Sequence, residues 1–442
     1  MFRDNEIIRF SIFSFVLTLI SIYTGRLLSS WLDITVFNRK GSNDNLKKSQ
    51  RSSGSIKVGL LTNELPPIVY GGVATWCTNF INMMVGNENI EIIPIFLAYN
   101  DSLSESDMEK YDKIRVIYTP ADVNETFKDI DVCVNNLWVA LETIIQIKEQ
   151  YPELHMITVC HSLIRMEHIT NLGSCYTNNF NDQEKTFEHS DTVVLISNAE
   201  EAYYNEFGYN KFPARTHVIY NSYIPKYDKR PFVANYDSND VGYIGRHVPR
   251  KRAELGVKAV IDTLKNTSVK VYNMGVDYDK YDNEYWRKMA TEYAKQLTVI
   301  PFSTDKKKKE QYWGDIGINA ITGIYEPFGY TICEAIDRGV PVIVQNIDGP
   351  KEIVEGYEQF VYLYDVDIED YDQDIINFSN TLNKLWGVSP AIRKYNATHA
   401  RKALDKLRPE IIGAEWEKLI MDSIKLLEVS HTLFRKKFYF IL

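Results

Sequence analysis

The chain has 442 residues, enough for two or three domains that each bury a core of their own. It carries 50 Lys and Arg against 59 Asp and Glu, and this formal net charge of −9 argues against a general nucleic-acid-binding surface. Its five cysteines form no CxxC pair and have no metal-ligand spacing, so neither a disulfide framework nor a zinc site is indicated. This cysteine usage favours a reducing compartment.

A segment without charged residues lies near the N-terminus. It runs from Phe10 to Gly25, slightly fewer than the roughly 20 residues that a membrane-spanning helix needs. No small-residue cleavage site follows it, so a retained single-pass anchor is predicted, with a buried or interfacial helix as the alternative. Basic residues outnumber acidic ones after this segment, and the positive-inside tendency predicts that the rest of the chain faces the cytoplasm. Residues 1–54 are therefore predicted to be an anchor and a flexible, polar tether.

Strand and helix patterns alternate after the tether. The first strand is predicted over Ile56 to Leu61, and a loop with Gly71 and Gly72 leads from it into an amphipathic helix. Further apolar strand patterns recur up to Tyr220 with helices between them. Such alternation predicts an α/β domain with a parallel, doubly wound sheet over residues 55–230.

A second unit repeats this pattern after a linker. Ser222 to Ser238 contains two prolines and no hydrophobic period, which is typical of a connection between domains. A strand at Val241 to Gly245 opens the second unit, and the alternation continues to Leu363. The sequence therefore predicts a second Rossmann-like domain over 231–405 that faces the first across a cleft, followed by a helical C-terminal segment at 406–442.

The most specific motif runs from Glu326 to Glu334 and sets two carboxylates on either side of a Gly turn that opens a helix. An apolar strand pattern from Asp315 to Ala320 precedes it, so the loop lies beyond the carboxyl end of a strand, where α/β proteins bind ligands. Helix-start amides at Gly329, Tyr330 and Thr331 suit an anion such as a diphosphate. The two carboxylates can accept hydrogen bonds from the vicinal hydroxyl groups of a sugar. The motif therefore predicts a ligand that is part phosphate and part sugar.

Two further positions carry candidate chemistry. Arg246 directly follows the strand Val241 to Gly245, and Lys251 follows five residues later, so both cations can reach an anion at that sheet edge. Fixed cations of this kind stabilise a leaving diphosphate. His161 ends another strand pattern. The structural alternative for Arg246 and Lys251 is a solvated basic loop, and the alternative for His161 is a core or capping residue.

These motifs resemble the donor site of retaining glycosyltransferases of family 4, which have the GT-B fold. The resemblance rests on the run from Glu326 to Glu334, on Gly245-Arg246-x4-Lys251, and on the segments 339–342 and 349–354, and it covers roughly Ile56 to Leu427. It implies that the last helix crosses back to the first domain.

The resemblance also implies a role for each matching residue. Glu326 orients sugar hydroxyls and Glu334 holds the ribose, while Phe328, Gly329, Tyr330 and Thr331 line the phosphate. Arg246 and Lys251 bind the diphosphate, and His161 lies near the transferred sugar. Gly71 and Gly72 form a glycine loop that approaches the donor phosphate or the acceptor. The predicted catalytic residues are His161, Arg246, Lys251 and Glu326.

The sequence thus predicts a metal-independent, membrane-tethered glycosyltransferase without a cofactor. Its donor would be a UDP-sugar or a GDP-sugar, and its acceptor a glycan or a lipid-linked molecule. A sugar-nucleotide 2-epimerase of the same fold and a non-catalytic glycan- or nucleotide-binding scaffold are the alternatives. Asp365-Val366-Asp367 copies a metal-binding motif of another glycosyltransferase fold and is interpreted as a solvated loop. Lys306 to Lys309 is a basic run that is interpreted as an exposed helix start.

Overall fold

The computed structural model describes residues 54–69, 71–98, 102–137, 140–170, 179–229, 231–246, 248–263, 269–273, 288–289, 291–293, 295–300 and 306–439. The anchor predicted at 1–54 lies outside these residues except for Gly54, and it stays a prediction. Within the described ranges, no helix combines the length and the apolar character that crossing a bilayer requires.

The first half of the molecule is built on a parallel sheet of seven strands in the order β3-β2-β1-β4-β5-β6-β7. The residues of its central strands are mostly apolar and are buried on both faces of the sheet, as expected for a sheet covered by helices. The strands are β1 Ile56–Thr62, β2 Ile90–Leu97, β3 Arg115–Ile117, β4 Val132–Asn135, β5 His155–Cys160, β6 Thr192–Leu195 and β7 Arg215–Val218.

The second half is built on a parallel sheet of six strands in the order β10-β9-β8-β11-β12-β13. Its strands are β8 Val241–Gly245, β9 Val269–Asn273, β10 Leu297–Ile300, β11 Ile318–Ala320, β12 Val342–Gln345 and β13 Tyr362–Tyr364. The predicted doubly wound, parallel α/β organisation is confirmed. β11 is shorter than the predicted strand 315–320, because the preceding helix runs to Asp315.

The helices connect the strands and cover the sheets. Those of the first half are α1 Gly72–Met84, α2 Glu105–Met108, α3 Val123–Phe127, α4 Leu141–Gln150, α5 Ile164–Thr170, α6 Asn179–Glu188 and α7 Asn198–Glu206. Those of the second half and the C-terminus are α8 Ala253–Thr263, α9 Lys306–Asp315, α10 Tyr330–Asp337, α11 Asp348–Val354, α12 Tyr371–Trp386, α13 Pro390–Ala400 and α14 Pro409–Tyr439. Short 3-10 helices include Pro249–Lys251 and Arg401–Leu407.

The strand order fixes where a ligand can bind. In each sheet the winding reverses direction beside its first strand, since β1 lies between β2 and β4, and β8 lies between β9 and β11. There the loops that leave two neighbouring strands run to opposite faces of the sheet and open a crevice between the carboxyl ends of these strands. Glu64 and Gly71 follow β1, and Arg246 and Lys251 follow β8, so candidate ligand-binding residues lie at both crevices.

The long C-terminal helix α14 packs against α1 of the first half. Trp416 contacts Trp76 and Phe80 with ring centroids 5.7 and 5.0 Å apart, and Trp76 stacks on Phe80 at 4.8 Å. All three rings are buried. This aromatic cluster buries a large apolar area and fixes α1, whose first residue is the predicted ligand-binding Gly72.

Candidate functional site

Lys251 and Glu326 form a direct ion pair at the centre of the candidate site. The Lys251 Nζ donates a hydrogen bond to the Glu326 Oε2, and the two side chains are only 16 and 14 % exposed. Burial lowers the pKa of Lys251 to about 8, although the charge of Glu326 opposes this shift. Burial alone would raise the pKa of Glu326, but the charges of Lys251, Arg250 and Arg246 outweigh it and lower that pKa. The carboxylate is therefore ionised at neutral pH.

Arg246 is exposed at the end of β8 and acts on carboxylates from both halves. Burial disfavours ionisation of Glu64, Glu167 and Glu326, and the positive charge of Arg246 opposes that effect on the pKa of each. Glu64 and Glu167 belong to the first half, whereas Arg246 belongs to the second. An exposed cation thus lies where the two halves face each other, beside the buried Lys251–Glu326 pair.

A second buried cation fixes the loop that carries Lys251. The Arg250 guanidinium donates to the Tyr325 carbonyl oxygen at 3.0 Å and to Glu167 Oε1 at 3.2 Å. The Tyr325 hydroxyl accepts from the Leu163 amide at 2.8 Å and from the Ser162 hydroxyl at 3.2 Å. These contacts join the residues next to Lys251 and Glu326 to the residues next to His161. They connect the two halves of the molecule at the site.

The helix α10 begins where the sequence predicted it. Gly329 precedes its first residue with φ of 108°, a left-handed conformation that favours glycine. The first-turn amides of Tyr330 and Thr331 have no carbonyl partner within the helix, so they are available to an anion. Phe328 is buried, and its ring contacts that of Tyr330 at a centroid distance of 5.0 Å.

The glycine loop of the first half reaches this helix start. A methyl group added to Gly72 would lie 3.4 Å from the Tyr330 ring. The backbone of the glycine loop therefore lies close to the ring at the start of α10. The Gly71 amide donates to Glu64 Oε2 at 3.1 Å. Burial raises the pKa of Glu64, and the amides of Gly71 and Ala74 oppose this. Sequence reasoning missed Glu64, which holds the loop that it did predict.

His161 lies at the end of β5 and is held by two neighbours. Its Nε2 hydrogen bonds to Asn136 Oδ1, and its ring meets the Trp76 ring edge-on at 5.2 Å. Asn136 in turn donates its Nδ2 to Cys77 Sγ at 2.9 Å, which orients the amide so that Nε2 carries the imidazole proton. Burial lowers the pKa of His161 to about 3. The ring is therefore neutral, and its Nδ1 remains an acceptor.

Glu334 is paired, and the partner corrects one prediction. Lys309 Nζ lies 2.9 Å from its Oε1 and 2.8 Å from its Oε2. The basic run 306–309 does open a helix, as predicted, but Lys309 is not simply solvated, because its ammonium group reaches Glu334 on α10. A carboxylate has about four acceptor positions, so the pair leaves capacity for hydroxyl groups.

The segment after β12 cradles the motif from Glu326 to Phe328. Asp348 Oδ2 accepts from the Glu326 amide at 3.1 Å, and the Gly349 amide donates to the Glu326 carbonyl oxygen at 3.2 Å. A methyl group on Gly349 would lie 2.4 Å from the Pro327 oxygen. The resemblance drew attention to 349–354, but the contact of Asp348 with Glu326 had no signal in the sequence.

Glu200 is a buried carboxyl group near the site. The Ser197 hydroxyl oxygen accepts a hydrogen bond from the Glu200 amide at 3.2 Å and caps the start of α7, and the Glu200 side chain is buried. Burial raises the pKa of Glu200 to about 8; nearby Asp348 adds to this, and the Tyr325 hydroxyl opposes it. The carboxyl is thus protonated at neutral pH.

This protonation makes the stability of the fold depend on pH. An unfolded Glu has a pKa of about 4.3, so between roughly pH 4.5 and 8 the folded chain binds one proton more and its free energy of unfolding falls as pH rises. We expect Glu200→Gln to remove about 2 kcal/mol of this fall between pH 5.5 and 7.5. Urea unfolding at both pH values measures it. Glu206→Gln, exposed on the same helix, should leave the pH dependence unchanged.

The structure therefore brings together most of the predicted residues. Lys251 contacts Glu326, and the charge of Arg246 acts on Glu326, while Gly72 approaches Tyr330. His161 joins this group indirectly, since its neighbour Ser162 bonds to Tyr325. Glu334 lies on α10 with Lys309 as its partner. Within the described ranges, no cluster of His, Cys, Asp and Glu could hold a metal ion.

Sequence comparisons show that the chain is similar to glycosyltransferases. Residues 226–385 match the family model described as Glycosyl transferases group 1. An uncharacterized glycosyltransferase of Methanocaldococcus jannaschii is 20 % identical over 339 residues, which cover 70 % of this chain and 85 % of that protein.

Solved structures resemble most of the chain. Sucrose-phosphate synthase from Thermosynechococcus elongatus superposes with a TM-score of 0.68 at 17 % identity and covers 83 % of this chain and 99 % of its own. Anabaena HepE in complex with UDP-glucose gives 0.64 at 18 % identity, with 83 and 100 % covered. The protein thus has the α/β GT-B glycosyltransferase fold.

Proposed function

We propose that the protein is a retaining glycosyltransferase of family 4 that transfers a hexose or related sugar from a nucleoside diphosphate to an acceptor. The Lys251–Glu326 ion pair beside Arg246 is the observation that carries this proposal. It combines cations for a diphosphate with an ionised carboxylate for sugar hydroxyls at the carboxyl ends of β8 and β11. The match to Glycosyl transferases group 1 over 226–385 includes all three residues.

The chemistry follows from where charge develops. When the bond from the sugar to the diphosphate breaks, negative charge builds on the leaving phosphate oxygens. Lys251 and the first-turn amides of α10 are already fixed by the fold and stabilise that charge without reorganisation, and the exposed Arg246 supplies a second cation. Glu326 restrains Lys251 before the donor binds and accepts hydrogen bonds from the sugar hydroxyls afterwards.

His161 completes the sugar side of the site. Because burial lowers its pKa to about 3, the imidazole is neutral and does not repel positive charge that develops at the anomeric carbon. Its Nδ1 accepts a hydrogen bond from a sugar hydroxyl. On the nucleotide side, Glu334 holds the ribose hydroxyls beside Lys309. UDP and GDP are the proposed nucleotides, and HepE, which has this fold, forms a complex with UDP-glucose.

The acceptor is proposed to be a glycan or a lipid-linked molecule, with the N-terminal segment as a membrane anchor that leaves this fold in the cytoplasm. Retention of configuration requires the acceptor to approach the face that the diphosphate leaves. The leaving phosphate then takes the acceptor proton. Closure of the two halves excludes water, which would otherwise hydrolyse the donor.

Release of nucleoside diphosphate from a panel of UDP- and GDP-sugars tests the proposal. We expect turnover with one donor in the presence of glycan or lipid-linked acceptors, no loss in EDTA, and an α-linked product from an α-linked donor by NMR. Glu326→Gln should reduce the rate by at least about 100-fold. Conversion of the donor to an epimer without release of diphosphate would instead support the 2-epimerase, and binding without turnover would support the scaffold.

A further inference from the structure

We infer that the contact between α7 of the first half and α11 of the second half, made by Tyr203 and Asp348, positions Glu326 and so couples the approach of the two halves to recognition of the donor sugar. This inference rests on the proposed function. It adds two positioning residues, Tyr203 and Asp348, which act through Glu326.

The backbone of Glu326 is held on both sides of its Cα atom by the start of α11. Its amide donates to Asp348 Oδ2 at 3.1 Å, and its carbonyl oxygen accepts from the Gly349 amide at 3.2 Å. These two hydrogen bonds are made to the two successive peptide groups that flank the Glu326 Cα atom, so they restrict the backbone on both sides of this residue. Any shift of Asp348 therefore moves the backbone of the residue that is proposed to bind the sugar.

Asp348 adopts an unusual conformation to make this contact. Its φ is 53°, in the left-handed region that Asp tolerates better than most residues, and its side chain is buried. A strained, buried residue keeps its conformation only when its surroundings fix it. The surroundings here include the other half of the molecule, because Asp348 Oδ1 accepts from the Tyr203 hydroxyl at 2.8 Å.

A second contact fixes the same two helices. The Glu352 carboxylate accepts from the first-turn amides of Asn198 at 2.9 Å and Ala199 at 2.7 Å, and from the Tyr220 hydroxyl at 2.6 Å. Amides in the first turn of a helix have no partner within it, and a negative charge there is favoured by the helix dipole. α11 therefore contacts the beginning of α7 through Glu352 and the middle of α7 through Asp348.

The contacts of Asp348 connect the first half to Glu326. Tyr203 contacts Asp348, and Asp348 contacts the Glu326 peptide, whose side chain holds Lys251. When the halves separate, the Tyr203 hydroxyl leaves Asp348, and one restraint on Glu326 is lost. Glu326 is then in its working position only when the halves are together, as a site that must exclude water requires.

Tyr203→Phe tests the inference with a single hydroxyl. Hydrogen exchange of the backbone amide of Glu326 should become several-fold faster, because its acceptor Asp348 loses a partner. The rate constant kcat should fall about tenfold, the effect of losing one hydrogen bond to a charged group. The Kd for UDP or GDP should change less than twofold, because Glu326 is proposed to contact the sugar and not the nucleotide.

Tyr204→Phe is the matched control. Tyr204 is adjacent on α7 and buried, and within the described part of the chain its hydroxyl has no hydrogen-bond partner, so exchange and kcat should stay at wild-type values. Unchanged exchange at Glu326 in Tyr203→Phe would overturn the inference, and so would equal losses of kcat and nucleotide affinity. The exchange readout needs no turnover, so a wild-type protein without transferase activity would refute the proposed function alone.

Discussion

Replacement of Lys251 by Ala is expected to lower kcat/KM for the nucleotide sugar by about 10²- to 10³-fold. This is the usual effect of removing one fixed group that stabilises charge in a transition state. Lys251 is nearly buried and pairs with Glu326, so the variant loses a cation for the diphosphate and also the restraint on the sugar-binding carboxylate. Steady-state kinetics with the donor identified by the panel measure the effect.

The pH dependence of the wild-type enzyme should report the same residue. Burial lowers the pKa of Lys251 to about 8, so kcat/KM, which reflects the free enzyme, should fall as pH rises through about 8. A bound diphosphate favours the charged amine, so the fall in kcat should occur at higher pH. Lys251→Arg keeps its charge throughout this range and should lose the fall near pH 8.

Two results would contradict this role. A fall in kcat/KM near pH 8 that persists in Lys251→Arg would assign the titration to another group. A Lys251→Ala variant with near wild-type kinetics would show that Arg246 and the helix-start amides suffice. Because loss of Lys251 leaves Glu326 partly buried without its partner, thermal unfolding of each variant should accompany the kinetics. The double variant Lys251→Met with Glu326→Gln removes both charges and separates stability from activity.

Local sequence patterns were sufficient for the elements and for one loop of the site. The strands are runs of apolar residues, and the Gly turn before α10 follows from the spacing of Gly329 between two carboxylates. Arg246 and Lys251 could be placed because they follow a strand directly, and parallel strands bring their carboxyl ends to one edge. Each of these inferences depends on residues close together in the chain.

The contacts that fix the site lie beyond local patterns. Asp348 reaches the Glu326 amide from the start of α11, and Tyr203 reaches Asp348 from the other half. Such pairs depend on how two sheets and their helices pack, and neither residue has a distinctive neighbourhood in the sequence. The partner of Lys309 was missed for the same reason. A basic run indicates solvation unless a carboxylate on another element comes within reach, as Glu334 does.

Gly349→Ala is expected to affect both stability and activity. The added methyl group would lie 2.4 Å from the Pro327 oxygen and 2.6 Å from the Phe328 Cα, both backbone atoms that cannot turn away. Relief requires α11 to move from the motif, and we expect a loss of about 3 kcal/mol in the free energy of unfolding, at the upper end for an overpacked core. Urea unfolding measures this loss.

The same displacement should impair the reaction in the fraction that stays folded. The Gly349 amide binds the Glu326 carbonyl oxygen, so moving α11 displaces Glu326, and a misplacement of about 1 Å can lower a rate about 100-fold. Gly413→Ala is the control, since its methyl group would lie 3.6 Å from the Met83 Cβ, an ordinary contact, and Ala stabilises a helix by about 1 kcal/mol relative to Gly. Wild-type stability and kcat in Gly349→Ala would mean that the start of α11 can move at little cost and does not hold Glu326 in place.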